Sequence, residues 1–254
     1  MYRERAAGGI AGAVLWESVS RGGAPSRVLP DGCLDLLWSS RAGLLVAGPD
    51  RTAQVAVSVP GERWVGLRLP PGVGPAVFGV PAAELRDRRV ALAELWGRAA
   101  RRPADRINDG QPAAAVLEAV AVARLRAAGG PDPLGARIAA RLAAGVPVAT
   151  AAAEVGLGAR ALYRRSQLLF GYGPKTLARI LRMRRALDLA RDGTPLAAAA
   201  ALAGYADQAH LTRDVKELAG VPRPGCCAPT PADRRPPGWS PGAGTARRRS
   251  VSRR

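Results

Sequence analysis

The chain has 254 residues, enough for two modest domains that each bury a core. Its 38 lysines and arginines outnumber 20 aspartates and glutamates, a net charge of +18 that favours a polyanionic partner. No stretch of about 20 apolar residues is available to span a membrane and no apolar N-terminal region resembles an export signal, while Cys33 and the adjacent pair Cys226 and Cys227 give neither a disulfide framework nor a Cys-x-x-Cys spacing, so a cytoplasmic, nucleoid-associated protein is expected.

The first part of the chain reads as short strands. Ala13–Val19, Leu34–Trp38, Leu44–Ala47, Val55–Val59 and Trp64–Leu69 are apolar runs of strand length. Turn signals separate them: Gly22-Gly23, Pro30-Asp31-Gly32, Gly48-Pro49-Asp50, Pro60-Gly61 and Pro70-Pro71-Gly72. That punctuation predicts an antiparallel barrel or sandwich. Short helices are expected over Ala82–Asp87 and Leu92–Gly97, then a polar connector over Arg98–Gln111 and a helix over Ala113–Ala128. Gly129-Gly130-Pro131 closes this β-rich domain, residues 1–130.

From Pro133 the pattern is helical. Of the segments Leu134–Ala144, Val148–Val155, Ala159–Phe170, Pro174–Arg191, Leu196–Ala203 and Asp207–Ala219, several open beside proline, the last has Asp207 as N-cap, and nearly all end at glycine. The fold class expected is therefore α+β: a β-rich N-terminal barrel or sandwich, then an all-α seven-helix domain over residues 134–224. Residues 225–254 are rich in proline, glycine, serine and arginine and nearly free of aliphatic side chains, which predicts a disordered basic tail.

The helical region contains a repeat. Pro147-Val148-Ala149-Thr150-Ala151-Ala152-Ala153-Glu154-Val155-Gly156, with Leu162-Tyr163-Arg164 and Phe170-Gly171, recurs about 49 residues on as Pro195-Leu196 to Ala203-Gly204, Leu211-Thr212-Arg213 and Ala219-Gly220. Each copy is an alanine-rich helix, a glycine-centred turn and a helix of polar and basic residues, the outline of a helix-turn-helix whose second helix enters the major groove. The charge follows the repeat. Residues 1–133 hold 17 basic and 13 acidic side chains, residues 134–224 hold 14 and 6, and the remainder 7 and 1. A GC-rich coding bias would also raise arginine throughout, but it does not produce a repeat.

In each second helix three apolar residues face inward: Leu162, Leu169 and Phe170, then Leu211, Val215 and Leu218. The outward set is Arg160, Tyr163, Arg164 and Arg165 in copy one, and Gln208, His210, Thr212 and Arg213 in copy two. Arginine pairs with guanine, glutamine with adenine, and threonine offers a hydroxyl or a methyl, so these types read base edges. Lys175, opening the long helix after Gly173-Pro174, suits a phosphate, as do the backbone N–H groups beside it. Ordinary solvated polar residues are the alternative for any one position, and less so for two matched sets.

Gly204-Tyr205-Ala206-Asp207-Gln208-Ala209-His210-Leu211-Thr212-Arg213 with Gly220-Val221-Pro222 resembles the second helix-turn-helix of the AraC/XylS transcription regulators. Phe170-Gly171-Tyr172-Gly173-Pro174 and Leu177–Leu189 resemble the exit of the first motif and its linker helix. The resemblance covers roughly residues 134–224. It implies seven helices, two recognition helices on successive major-groove segments, and base contacts by Arg160, Tyr163, Arg164, Gln208, Thr212 and Arg213. Two departures stand out: Ser166 replaces a larger apolar residue, and Pro222-Arg223-Pro224-Gly225 interrupts the short closing helix.

Leu29-Pro30-Asp31-Gly32-Cys33-Leu34-Asp35-Leu36-Leu37-Trp38 and Gly66-Leu67-Arg68-Leu69-Pro70-Pro71-Gly72 resemble the β-rich domain that precedes this module in a subgroup of bacterial regulators. Asp31, Cys33, Asp35 and Arg68 are polar positions among apolar strands. They either line an effector pocket, or form a turn at Asp31-Gly32 with Asp35 paired to Arg68 or to a backbone amide.

No enzyme is expected, and no cofactor or metal. The only histidine, His210, lies on a candidate recognition helix, so no Cys-His or Ser-His-Asp set can be assembled with the N-terminal half. There is no P-loop, dinucleotide fingerprint or metal-ligand spacing. The expected function is sequence-specific regulation of transcription, as activator or repressor. Partners expected are double-stranded promoter or operator DNA, RNA polymerase, an unidentified small-molecule effector and a second copy of the chain. The alternatives are a nonspecific architectural DNA-binding protein that relies on its arginine tail, and a regulator that responds to alkylation or oxidation at Cys33.

Overall fold

The computed structural model describes residues 2–22, 26–57 and 59–220. Among the described residues, eight strands occupy the N-terminal half: β1 (Tyr2–Ala6), β2 (Val14–Val19), β3 (Ser26–Val28), β4 (Leu34–Ser39), β5 (Gly43–Ala47), β6 (Gln54–Ala56), β7 (Arg63–Leu69) and β8 (Arg89–Ala91). Six form one antiparallel sheet in the order β1-β2-β7-β4-β5-β8, and β3 pairs with β6 in a separate two-stranded ribbon. The barrel or sandwich expected is thus an open sheet whose ends are β1 and β8.

Period-two alternation sorts the side chains of this sheet into two faces. Leu34 and Leu36 on β4 stand opposite Leu69 and Leu67 on β7, and all four are fully buried. Helix α5 (Ala113–Ala127) lies against that face with Leu117, Ala121 and Leu125 at i, i+4 and i+8. On the other face, Asp35 stands opposite Arg68, and the Trp16 ring covers Gly66 so closely that a Cβ there would lie 2.2 Å from it.

Between sheet and α5 come α1 (Gly74–Phe78), α2 (Ala82–Leu85), α3 (Leu92–Trp96), a 3-10 turn (Gly97–Ala100) and α4 (Arg101–Asn108). The connector expected over Arg98–Gln111 is therefore mostly helical. Its polar sequence hid the fact that Pro103 and Ile107 alone face inward from α4.

The C-terminal half holds α6 (Pro133–Ala143), α7 (Val148–Glu154), α8 (Ala159–Phe170), α9 (Pro174–Arg191), α10 (Leu196–Ala203) and α11 (Gln208–Ala219). These are six helices among the described residues, not seven; the closing helix of the resemblance would fall beyond Gly220, outside them, as does the tail over 225–254. Helix α9 runs through the middle, burying Leu177, Ile180, Leu181, Met183, Ala186 and Leu187 against the helices on either side. The N-terminal half touches this bundle at the C-terminal ends of α8 and α11. Arg86 donates to the Gly171 carbonyl at the end of α8 (2.9 Å), and the Ala53 N–H donates to the Leu218 carbonyl at the end of α11 (2.7 Å).

Candidate nucleic-acid interface

Helices α7 and α8 form one helix-turn-helix, and α10 and α11 form the other. Leu162, Leu169 and Phe170 hold α8 down, as Leu211, Val215 and Leu218 hold α11; all six are buried. Gly204 turns between α10 and α11 at φ +88°, a left-handed conformation that a side chain would strain. Asp207 then caps α11 by accepting the His210 N–H at 2.6 Å.

The outward residues divide by whether their charge is already engaged. Arg160, Arg164 and Gln208 are exposed, as is Arg213, and none of these arginines has an ion-pair partner among the described residues. Arginines on the supporting helices are mostly tied down: Arg141 to Glu154 (2.5 Å), Arg191 to Asp188 (2.8 Å), Arg179 and Arg182 to Asp214. Unpaired guanidinium groups on outward faces keep their charge and donors available for DNA. Arg165, grouped with the outward set in the sequence, instead pairs with Asp132, whose other oxygen caps α6 at Leu134 (2.8 Å).

Thr212 is half-buried and donates its hydroxyl to the Gln208 carbonyl (2.8 Å), leaving that oxygen as an acceptor. Tyr163 is 54% exposed; its hydroxyl accepts from Gln167 (2.9 Å), and its ring lies against Gly173. Lys175 is exposed in the first turn of α9, which no side chain caps.

Sequence reasoning missed the group that sets α11 against α9. The Asp214 carboxylate, 6% exposed, accepts from Tyr205 (2.8 Å), Arg182 (3.1 Å) and Arg179. Arg182 lies 4.2 Å from the centroid of the Tyr205 ring, and His210 meets that ring edge-on. Burial pushes the Asp214 carboxyl up, but the hydrogen bonds from Arg179, Tyr205 and Arg182 outweigh it and hold the group below the usual carboxylate range. The signal available was Arg179 and Arg182, three apart on one side of α9.

The other predicted cluster sits where the two halves meet. A cavity of about 320 Å³ is lined by Asp31, Cys33 and Arg68 on one side and by Asp132, Ala136 and Ala140 of the α6 region on the other. Asp31 accepts the Cys33 N–H (2.9 Å), so Asp31-Gly32 is also the turn of the alternative reading. Arg68 lies 3.4 Å from Asp31 and 3.6 Å from Asp35. Asp35 stands behind Arg68 rather than on the cavity wall; burial pushes its carboxyl up to about 6, against the lowering effect of Arg68 and with Asp31 adding to the rise. Among the described residues no group of histidine, cysteine and carboxylate side chains could hold a metal ion. Nor is any helix long and apolar enough to cross a membrane.

Residues 151–222 match a family model described as a helix-turn-helix domain, and residues 13–91 match a domain of unknown function, DUF6597. The chain carries an AraC-type helix-turn-helix domain, the DNA-binding module of transcription regulators, behind that N-terminal domain. No curated protein matches it. Among solved structures, an apo form of a ToxT point variant from Vibrio cholerae strain SCE256 is 11% identical with a TM-score of 0.44, over 84% of this chain and 95% of that one. Unsaturated fatty acid bound wild-type ToxT from the same strain is 9% identical with a TM-score of 0.42, over 87% and 92%. These are loose likenesses.

Proposed function

We propose that the protein regulates transcription by reading specific duplex DNA with α8 and α11, through Arg160, Tyr163, Arg164, Gln208, Thr212 and Arg213, with Lys175 on a phosphate. The domains would be residues 1–130 for sensing or dimerisation and 134–224 for DNA. The observation that carries the reading is the repeat itself. Two second helices flank one long helix, each held by three buried apolar residues and each presenting, at the matched positions 164 and 213, an exposed arginine with no ion-pair partner among the described residues. A nonspecific architectural protein has no need for two such matched faces.

The test is selection of bound sites from a random duplex library by the full chain at about 150 mM salt. The expected result is a motif with two blocks roughly one helical turn apart, about 10–10.5 base pairs. No enrichment over the input library would overturn the base-reading assignment.

The cavity between the halves is the proposed effector site. Its wall residue Asp132 also holds Arg165 of α8, so occupancy would act on the first recognition helix through one carboxylate. Arg165 follows Arg164 directly. Cys33 is one wall of this cavity, its Sγ lying 3.9 Å from the Asp31 carbonyl oxygen.

A further inference from the structure

A second cleft, of about 400 Å³, opens beside α8 and is built by both halves of the chain. Tyr163, Gln167 and Lys175 line it from the helical half, and Arg51 and Arg86 line it from the β-rich half. No carboxylate is among its lining residues, so three cations face one cleft. Such a cleft takes an anion.

Arg51 is positioned for this. The Asp87 carboxylate accepts both the Arg51 backbone N–H (2.8 Å) and its Nε (2.6 Å). Asp87 adopts φ +57°, the only positive φ of a non-glycine residue among those described. The pairing engages Nε and leaves the two terminal guanidinium nitrogens without a partner among the described residues, with the side chain 57% exposed. Arg86 is fixed by the Gly171 carbonyl (2.9 Å) and Gln167 (3.3 Å), and the exposed Lys175 ammonium pairs with nothing among the described residues. Asp87 offsets one of the three positive charges and is itself consumed in orienting Arg51.

The anion is identified by what adjoins the cleft. Tyr163 forms one wall while exposing half its surface on the side of α8 that the proposed function turns to DNA. We infer that the β-rich half contacts DNA directly: Arg51, supported by Arg86, joins Lys175 in holding a backbone phosphate that flanks the block read by α8. This rests on the DNA-reading function above and adds a partner surface to it. The first helix-turn-helix is then clamped from two domains, and movement between the halves alters affinity by separating Arg51 from Lys175.

The experiment measures affinity of the full chain for its selected duplex, and for a random duplex, from about 50 to 200 mM salt. Arg51→Ala should weaken binding to both duplexes roughly threefold or more and reduce the slope of log K against log salt by about 1, one lost phosphate contact. Arg51→Glu should weaken it further, and Arg51→Lys should restore most of the slope. A methylphosphonate at the phosphate facing the cleft should abolish the difference between wild type and Arg51→Ala. Unchanged affinity and slope in Arg51→Ala and Arg51→Glu, while Arg213→Ala still loses specific binding, would overturn the inference and leave the DNA-reading function standing. If Arg213→Ala also changed nothing, that function itself would fall.

Discussion

In the first helix-turn-helix the residue three past the buried leucine of the second helix is Arg165, and it pairs with Asp132 at the start of α6. In the second motif the matching residue is Asp214, and it pairs with Arg179 and Arg182 on α9. The same position thus carries opposite charges and fastens to different helices. Exposure separates them as well, since Arg165 is 41% exposed and Asp214 only 7% by side chain. One repeated outline has been anchored twice by different means. The first anchor reaches toward the cavity between the halves, and the second stays inside the helical half.

The largest expected effect comes from breaking the inner anchor. Asp214→Ala leaves the Arg182 guanidinium and the buried Tyr205 hydroxyl without their acceptor, while Arg179 keeps Glu217, and should cost about 3 kcal/mol of stability. Arg165→Ala breaks a pair that water already screens and should cost about 1 kcal/mol or less. Urea unfolding of the full chain measures both, and equal losses would mean that the two anchors do not differ. The Asp214 carboxyl is depressed in the folded state relative to about 3.9 in the unfolded chain. Its contribution is therefore present above about pH 4 and disappears as pH falls through the folded value. The stability gap between wild type and Asp214→Asn should narrow on acidification from about pH 5 to pH 3.

Next come the proposed reading faces of α8 and α11. Arg164→Ala and Arg213→Ala occupy matched positions and should each lower specific affinity by roughly 1–3 kcal/mol. Each should relax base preference in one block of the selected motif and leave the other intact. Loss of preference in both blocks from a single substitution would show that the copies do not read separately. Asp207→Ala, which removes the cap of α11, should cost about 1 kcal/mol. The first motif has no counterpart to lose, because Gly158 at the start of α8 offers no capping side chain.

The sequence made the helical half legible to within a residue or two. Ala159–Phe170, Pro174–Arg191 and Leu196–Ala203 begin and end where proline and glycine place them. Apolar strands were equally plain, from Leu34–Trp38 to Trp64–Leu69. Strand β1, Tyr-Arg-Glu-Arg-Ala, was not, because an edge strand with mostly exposed side chains carries no apolar run. Strands β3 and β8 are three residues each, too short for a pattern. The outward residues of α8 and α11 could be named from the repeat. Arg51 and Arg86 could not, because only the packing of α2 against α8 brings them beside Tyr163.

The smallest effect tests whether the first motif is the looser one. Ser166 is fully buried, and its hydroxyl has no hydrogen-bond partner among the described residues; its match in the second motif is Val215, equally buried. An unsatisfied hydroxyl in an apolar setting lowers stability, so Ser166→Ala should raise it by about 1 kcal/mol in urea unfolding. DNA affinity should hold, because Arg160, Tyr163 and Arg164 are exposed while Ser166 is fully buried. A destabilised Ser166→Ala would instead mean that the hydroxyl bonds a carbonyl of the preceding turn and is part of the packing of α8. Ser166→Val then separates volume from polarity. If it exceeds Ser166→Ala in stability, the serine leaves space that the second motif fills with valine, and α8 keeps a freedom of movement that α11 lacks. That freedom lies beside the cavity wall and beside Arg165, where an effector would have to act.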